Sequence, residues 1–397
     1  MAALSASLTL GIAVATASVI ADGARDTVSA DGADRSSTAT GRVLRVGPGR
    51  ALRTPSAASA VARGGDTVHL DAGTYPGDVA TWTQDDLTLR GAGGPVNLPA
   101  HGRNAQGKAI WVIAGDRTRV DGITFTGARV PDGNGAGIRQ EGTGLVITRS
   151  VFRGNQNGIL AGADPRSDIV IRGSRFIANG AGDGYTHNIY IGEVRSLTVT
   201  GSVIASASVG HEVKSRAART VLQGNLITDR NGTASYSVDL PNGGAALIAG
   251  NVLVQGPRSE NPALISYGAE GLTHPSRQLW VVNNTLVNRR SSGTFVVVAD
   301  GARAEMRNNL LVGPGRAVSG SAGIRADRRV TTGAFVAPAR EDYRLRTTSV
   351  AVNRGVVVPV SRRAVWEFAA PVGQMRRPVV GRPDLGAFEL RPVTRPR

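Results

Sequence analysis

A short pattern recurs along this chain at a spacing that few folds can accommodate. The pattern is an alternation of apolar residues, then Gly, Ser or Asn, then a further apolar pair, and it occupies residues 145–152, 169–176, 197–204, 220–227, 246–253, 280–287 and 304–311. A period in the twenties, lengthened where loops are inserted, is typical of a parallel β-solenoid, because one coil cannot bury its apolar face without neighbouring coils. The repeat therefore predicts one elongated body.

The polar position inside each repeat is expected to form a structural column. Aligned copies carry Ser150, Ser174, Ser202, Asn225, Asn251, Asn284 and Asn309. Equivalent polar side chains on successive coils can hydrogen-bond along the column, and a preceding glycine can adopt the positive φ that a sharp corner needs. We interpret these residues as scaffold.

Composition agrees with an all-β chain. The 397 residues include 52 glycines but only 4% aromatic residues, which favours many short strands joined by tight turns. The absence of cysteine excludes disulfides and thiolate metal sites. The formal charge of +16 favours an acidic partner. Because the arginines are dispersed and no nucleic-acid-binding motif is visible, we expect an acidic polysaccharide as the partner and no nucleic acid.

The N-terminus indicates export. Residues 2–21 form an uncharged run of small and apolar residues, and Ala15-Thr16-Ala17 is a plausible small-x-small cleavage site. We interpret residues 1–22 as a signal peptide, which predicts a secreted or periplasmic protein. No later stretch is long and apolar enough to span a bilayer.

Several segments resemble a known superfamily. GDTVHLDAGTYPG at 65–77, the Gly-Asn corners and RPDLGAFE at 382–389 are similar to bacterial exported proteins with the right-handed parallel β-helix of the pectate-lyase-like superfamily. The resemblance implies a single β-helix domain over residues 43–390. Residues 54–65 are suited to a short N-terminal capping helix. We also expect residues 391–397 to form a basic tail and the protein to be a monomer.

A second set of strands lies between the corners, at residues 137–140, 158–161, 188–191, 212–215 and 237–240. Their apolar residues align as Ile138, Ile159, Ile189, Val213 and Val238. Strand alternation then predicts that Arg139, Leu160, Tyr190, Lys214 and Asp239 form one outward column, about 4.8 Å apart per coil. The same alternation turns Asn188, Glu212 and Arg216 outward and gives His187 and His211 the inward parity.

This concentration of polar groups suits β-elimination from a uronate. In the superfamily that the chain resembles, such lyases place a Lys or Arg base on an outward strand. Lys214 could remove the proton α to the carboxylate, Arg216 could bind the carboxylate, and Tyr190 or His211 could protonate the leaving oxygen. The sequence leaves open whether Lys214 or His211 is the base, and either histidine could instead be a structural corner residue.

The predicted site therefore has a catalytic and a binding part. The predicted catalytic residues are Lys214, His211, Arg216 and Tyr190. The predicted substrate-binding residues are His187, Asn188, Glu212, Tyr236, Asp239, Asn242, Tyr267 and Arg139. No metal ligand and no cofactor is predicted, although Asp239 and Glu212 leave calcium as an open alternative to a metal-free site.

Four other functions stay open. A uronan C5-epimerase needs nearly the same groups as a lyase, although the DPHD signature of alginate-type epimerases does not occur. A glycoside hydrolase needs two carboxylates, for which Glu212 and Asp239 are candidates. A noncatalytic glycan-binding β-helix and a purely structural solenoid are the remaining alternatives. The leading hypothesis is an exported polysaccharide lyase acting on a uronate-containing glycan.

Overall fold

Parallel strands in three stacked columns form the body of the molecule. The computed structural model describes residues 41–378 and 381–391. Each coil contributes one strand to each column, and every pairing within the columns is parallel. The predicted all-β, right-handed parallel β-helix is confirmed. The predicted signal peptide, and the tail beyond residue 391, lie outside the described residues.

The strand bounds follow the three columns. The first column contains Val43–Val46, Thr67–Thr74, Thr88–Pro99, Arg119–Asp121, Leu145–Thr148, Asp164–Arg172, Val194–Thr200, Arg219–Gln223, Ala245–Ala249, Gln278–Val282, Arg303–Arg307 and Ala322–Arg325. The second contains the end of Thr88–Pro99, then Ile123–Thr126, Val151–Arg153, Arg175–Ile177, Val203–Ala205, Leu226–Thr228, Val252–Gln255, Thr285–Asn288, Leu310–Val312 and Arg328–Val330. The third contains Ala80–Trp82, Ala109–Ile113, Ala136–Gln140, Asn157–Ala161, Ile189–Ile191, Val213–Ser215, Val238–Leu240, Ala263–Tyr267, Thr294–Val298 and Arg316–Ser319.

The predicted polar column lies at the corner between the first and second columns. The amide nitrogen of each member donates to the side chain of the next, as in Ser202 to Asn225 Oδ1 at 2.9 Å and Asn225 to Asn251 Oδ1 at 2.9 Å. We call this column the corner ladder, and it continues past Asn309 to Asp327. The residues before the serines and asparagines adopt positive φ, as expected for Gly224 at 61°. The corner ladder is therefore scaffold, as predicted.

Apolar side chains from all three columns fill the interior. The third column contributes Ile138, Ile159, Ile189, Val213 and Val238, which are fully buried and stack in the predicted register. Stacking buries on each coil the face that a single coil would leave in water. The strands are thus held in fixed register, so outward side chains on adjacent coils have defined neighbours.

The two ends of the β-helix are finished differently. Helix Pro55–Ser59 covers the N-terminal end, with Thr54 as its N-cap: Thr54 Oγ1 accepts a hydrogen bond from the amide of Ala57 at 3.2 Å. At the other end, the strands Arg316–Ser319, Ala322–Arg325 and Arg328–Val330 pair on one side only within the described residues. Arg325, Arg328 and Arg329 are exposed there.

The chain after residue 330 folds back over the second column. It contains two antiparallel strand pairs, Phe335–Ala337 with Asp342–Leu345 and Trp366–Phe368 with Gln374–Arg376, and the 3-10 helices Thr332–Ala334, Pro338–Arg340 and Val360–Arg362. Phe335, Tyr343, Leu385 and Phe388 pack on the outward apolar residues of the second column. This cover leaves the third column as the face that carries the polar cluster. Among the described residues, no helix is long and apolar enough to cross a membrane.

Candidate functional site

The central strands of the third column bring the predicted outward residues together. Tyr190 pairs in register with Lys214, and Lys214 pairs with Asp239. Arg139 lies two strands before Tyr190, with Leu160 between them, as the sequence predicted. Arg139 Nε faces Glu141 Oε1 at 3.6 Å, so its charge is directed away from the central residues. The cluster therefore begins at Tyr190.

Lys214 and Arg216 together hold one carboxylate. Lys214 Nζ lies 3.2 Å from Glu270 Oε1, and Arg216 Nη2 lies 2.7 Å from Glu270 Oε2. We call Lys214 and Arg216 the cation pair. Burial opposes ionisation of Glu270, but the hydrogen bond from Arg216 and the charge of Lys214 outweigh it, so the pKa of Glu270 is lowered. The cation pair is thus arranged to bind a carboxylate.

The guanidinium of Arg216 is fixed by two further side chains. Its Nε donates to Tyr190 Oη at 3.2 Å, and its Nη1 donates to Asn242 Oδ1 at 2.5 Å. Arg216 thereby uses three different nitrogens for three partners, which only the fork of a guanidinium allows. His274 Nε2 lies 2.8 Å from the carbonyl oxygen of Arg216 and supports the backbone. Arg216 thus contacts both Tyr190 and Asn242, and all three are predicted site residues.

Two histidines stack beside the cation pair. The rings of His187 and His211 lie 4.7 Å apart and nearly parallel, and Tyr190 and Tyr236 flank them at 5.4 and 5.2 Å. The predicted inward orientation of both histidines is wrong, since His211 Nε2 lies 3.5 Å from the outward Asp239. The physical reason is a bend before each strand, at residues 188 and 212, which reverses the alternation.

The hydrogen bonds of His211 define its tautomer. Its Nδ1 accepts from the amide of Tyr236 at 3.3 Å, so the proton of the neutral ring resides on Nε2, which faces Asp239. Burial, with a contribution from Lys214, lowers the pKa of His211 to about 3. Burial, with the charges of His211 and Lys214, also holds the pKa of His187 well below its usual value. Both rings are neutral near pH 7.

Asp239 completes the inner layer of the cluster. Its Oδ2 lies 3.6 Å from Lys214 Nζ and 3.5 Å from His211 Nε2, and its side chain is only 5% exposed. Burial raises the pKa of Asp239, and the charge of Lys214 opposes that rise. Asp239 therefore lies beneath Lys214, where it fixes the lysine without reaching solvent.

The predicted outward orientation of Asn188 and Glu212 is wrong. Both side chains are fully buried at the corner between the second and third columns. Asn179 Nδ2 donates to Asn188 Oδ1 at 2.6 Å, and Asn188 Nδ2 donates to the carboxyl group of Glu212. Burial raises the pKa of Glu212 to about 8. Glu212 is thus the last member of a second polar ladder, and a hydrolase that uses Glu212 with Asp239 is contradicted.

Tyr267 also differs from the prediction. Its side chain is 1% exposed and belongs to the apolar core, and its hydroxyl donates to the carbonyl of Gly244 at 2.5 Å. Burial raises the pKa of the Tyr267 phenol. A side chain in this position supports the turn at Gly244 and does not contact a glycan.

Glu270 is not among the residues predicted for the site. It follows the strand Ala263–Tyr267, two coils beyond Lys214, in a turn between Gly268 and Gly271. Alternation assigns faces to residues within strands and says nothing about loop side chains. Glu270 could have been predicted from its position in the sequence, because it follows closely the strand that pairs with Val238–Leu240.

The donor set at this site does not fit a calcium ion. The two carboxylates on this face, Asp239 and Glu270, both contact Lys214, and Glu270 also contacts Arg216. In the described residues, no group of three or more His, Asp or Glu side chains is placed to hold a metal. The positive charge beside the carboxylates is therefore supplied by side chains.

Comparison with known proteins identifies the fold. No protein-family model matches the chain, and no curated protein matches it by sequence. Among solved structures, pectate lyase Pel9A is similar with a TM-score of 0.62 and 15% identity, over 89% of this chain and 98% of that one. The alginate lyase from Paenibacillus sp. str. FPU-7 is similar with a TM-score of 0.50 and 16% identity, over 72% and 99%. The chain therefore has the right-handed parallel β-helix scaffold of these two polysaccharide lyases.

Proposed function

We propose that this protein is a polysaccharide lyase that cleaves a uronate-containing glycan by β-elimination. The observation that carries the proposal is that Lys214 Nζ and Arg216 Nη2 both contact the carboxylate of Glu270, at 3.2 and 2.7 Å. A uronate presents the same group, and charge-assisted hydrogen bonds from a guanidinium suit it. The formal charge of +16 adds a general attraction for an acidic polymer.

Arg216 would act first by neutralising the uronate carboxylate. Positive charge there stabilises the enolate-like charge that develops when the C5 proton is removed. Arg216 is suited to this part because Tyr190 and Asn242 already hold its guanidinium in place. A preorganised donor needs no rearrangement when charge develops.

Lys214 is the proposed base and Tyr190 the proposed acid. Lys214 first releases its ammonium proton to solvent; its amine then takes the proton from C5, a double bond forms between C4 and C5, and the C4–O bond breaks, while Arg216 stays paired with the carboxylate. Tyr190 gives its proton to the leaving oxygen, which becomes the hydroxyl of the new reducing end. His211 is less suited as the base, because its Nδ1 already accepts the amide of Tyr236 and its Nε2 carries a proton.

The chain offers a matched control for Lys214. Lys108 and Lys214 are its two lysines, and Lys108 is paired with Glu141 at 2.6 Å. Incubation with polygalacturonate and with alginate should produce the ultraviolet absorbance of an unsaturated uronate. Lys214→Ala should abolish this absorbance while Lys108→Ala retains it.

Other outcomes of the same incubations would redirect the proposal. A change of uronate configuration without a double bond, read by NMR, would indicate a C5-epimerase. Binding without any product would indicate a noncatalytic glycan-binding β-helix. A lyase on such polymers acts outside the cytoplasm, in agreement with the signal peptide predicted at residues 1–22.

A further inference from the structure

We infer that Glu270 is a specificity-determining residue, an inference that rests on the proposed function. The carboxylate of Glu270 occupies the position that the substrate carboxylate would take, so the substrate must displace it from Lys214 and Arg216. Only a ligand that brings its own carboxylate can replace Glu270 without depriving the largely buried Arg216 of the carboxylate that it pairs with and leaving Lys214 with Asp239 alone. Leaving a buried charge unpaired is strongly unfavourable. A neutral sugar is therefore rejected.

Glu270 lies outside the cations that it contacts. The side chains of Lys214 and Arg216 are 14% and 21% exposed, whereas that of Glu270 is 48% exposed. A ligand that approaches from solvent therefore meets Glu270 before it meets the cations. The carboxylate of Glu270 and that of a ligand cannot both contact Lys214 Nζ and Arg216 Nη2.

The cations stay in place when Glu270 leaves. Arg216 keeps its Nε on Tyr190 and its Nη1 on Asn242, and Lys214 keeps Asp239 beneath it. The atoms released are Arg216 Nη2 and Lys214 Nζ, which lie next to each other because one carboxylate now bridges them. The released site is therefore already shaped for a carboxylate.

Displacement requires only a rotation of the Glu270 side chain. The backbone amide of Glu270 donates to the carbonyl of Pro241 at 3.0 Å, and the amide of Gly271 donates to Gly268 at 3.0 Å. These bonds hold the turn, while the half-exposed side chain is free to reach solvent. Rotamer changes of exposed side chains are fast compared with binding.

Two variants separate occupancy from simple charge repulsion. Glu270→Gln removes the charge. Glu270→Asp keeps the charge but is one methylene shorter, so its carboxylate cannot bridge both cations. If Glu270 competes by occupying the cation pair, both variants bind a uronate more tightly. If Glu270 only repels anions, Glu270→Asp binds like the unmodified protein.

The test uses galacturonate monomer, which has no O4-linked sugar to eliminate, and its methyl ester, which has no charge. Calorimetric titration of the full chain should show galacturonate affinity raised about tenfold in both variants, the order expected when charge-assisted hydrogen bonds no longer have to be exchanged. The methyl ester should stay unbound in all three proteins. Glu193→Gln, an exposed acid elsewhere, is the control and should change nothing.

Three results would overturn the inference: a gain in Glu270→Gln alone, no gain in either variant, or binding of the methyl ester by the unmodified protein. The proposed lyase activity is judged separately, from unsaturated products on the polymers. Failure of elimination with a gain in both variants would reject the lyase and keep the carboxylate exchange. Elimination with no gain in affinity in either variant would keep the lyase and reject the carboxylate exchange.

Discussion

His187 Nδ1 accepts a hydrogen bond from the backbone amide of His211 at 3.0 Å, and the two rings stack 4.7 Å apart. Each Nδ1 is an acceptor only while the ring is neutral, and His211 Nδ1 likewise accepts from the amide of Tyr236. Protonation of either ring would place a second donor against an amide. The pair therefore links the shape of the site to pH.

We predict that acid destabilises the protein through these histidines. The pKa of His211 is about 3 in the folded protein and 6.5 in its ordinary state, because burial and Lys214 disfavour the charged ring. Between these two pKa values His211 is protonated in the unfolded chain but not in the folded protein. The free energy of unfolding therefore falls by about 1.4 kcal/mol for each pH unit as the pH is lowered through this range.

His211→Asn tests this prediction, because its amide oxygen can replace Nδ1 as the acceptor for Tyr236. Denaturant unfolding at about pH 7 and about pH 5 should show a smaller loss of stability in the variant than in the unmodified protein. Equal losses in the two proteins would show that His211 is not the group responsible.

Arg216→Lys should impair the proposed elimination although the charge is kept. A lysine ammonium cannot reach Tyr190, Asn242 and a carboxylate in the geometry that three guanidinium nitrogens provide. We expect kcat/KM on the uronate polymer to fall by about a hundredfold. Arg195→Lys, at an exposed arginine that pairs with Asp168 outside the site, is the matched control. Similar activity of the two variants would remove Arg216 from the mechanism.

Glu212→Gln should stabilise the protein in alkali. The pKa of Glu212 is about 8 when folded, raised from 4.5 by burial, so the folded state binds more protons between these values. Stability conferred by protonated Glu212 is therefore complete below pH 4.5 and is lost as pH rises to 8. The full shift corresponds to about 5 kcal/mol, and about 2 kcal/mol is offset because the Gln amide nitrogen replaces one of the two oxygens that accept from Asn188 and Ala207, so at about pH 9 the variant should be more stable by about 3 kcal/mol. The comparison is made with the exposed Glu193→Gln; equal stability of both variants would contradict burial of an ionisable Glu212.

Asn251→Ala should destabilise the scaffold without a direct effect on the site. Asn251 Oδ1 accepts from the amide of Asn225 at 2.9 Å, and its Nδ2 donates to the carbonyl of Leu222 at 2.8 Å. The substitution leaves both buried groups unsatisfied, so we expect a loss of about 3 kcal/mol in the free energy of unfolding. The exposed Asn134→Ala should lose almost nothing, and a loss as large as that of Asn251→Ala would count against the corner ladder as a source of stability.

The repeat made the fold predictable because a solenoid converts sequence spacing directly into position. The inward apolar residues of the third column align in the sequence and pair in the same register in the structure; they are Ile138, Ile159, Ile189, Val213 and Val238. The corner ladder follows from the same arithmetic. Both predictions needed only that equivalent residues on successive coils lie one strand spacing apart.

The site was harder to predict wherever a residue lies outside a strand. A bend before Ile189 and another before Val213 exchange the faces of His187 with Asn188 and of His211 with Glu212. Glu270 reaches Lys214 across 56 residues of sequence from a loop to which no periodicity applies. Alternation fixes directions inside strands, whereas these contacts depend on turn geometry.

The open edge of the last coil has a consequence for self-association. Strands whose outer edge is unpaired can act as a template for another chain, so two copies could join through this edge. Arg325, Arg328 and Arg329 are exposed at this edge. Two such ends that met would bring six guanidinium groups together, so we expect their mutual repulsion to disfavour pairing between the open edges of two copies.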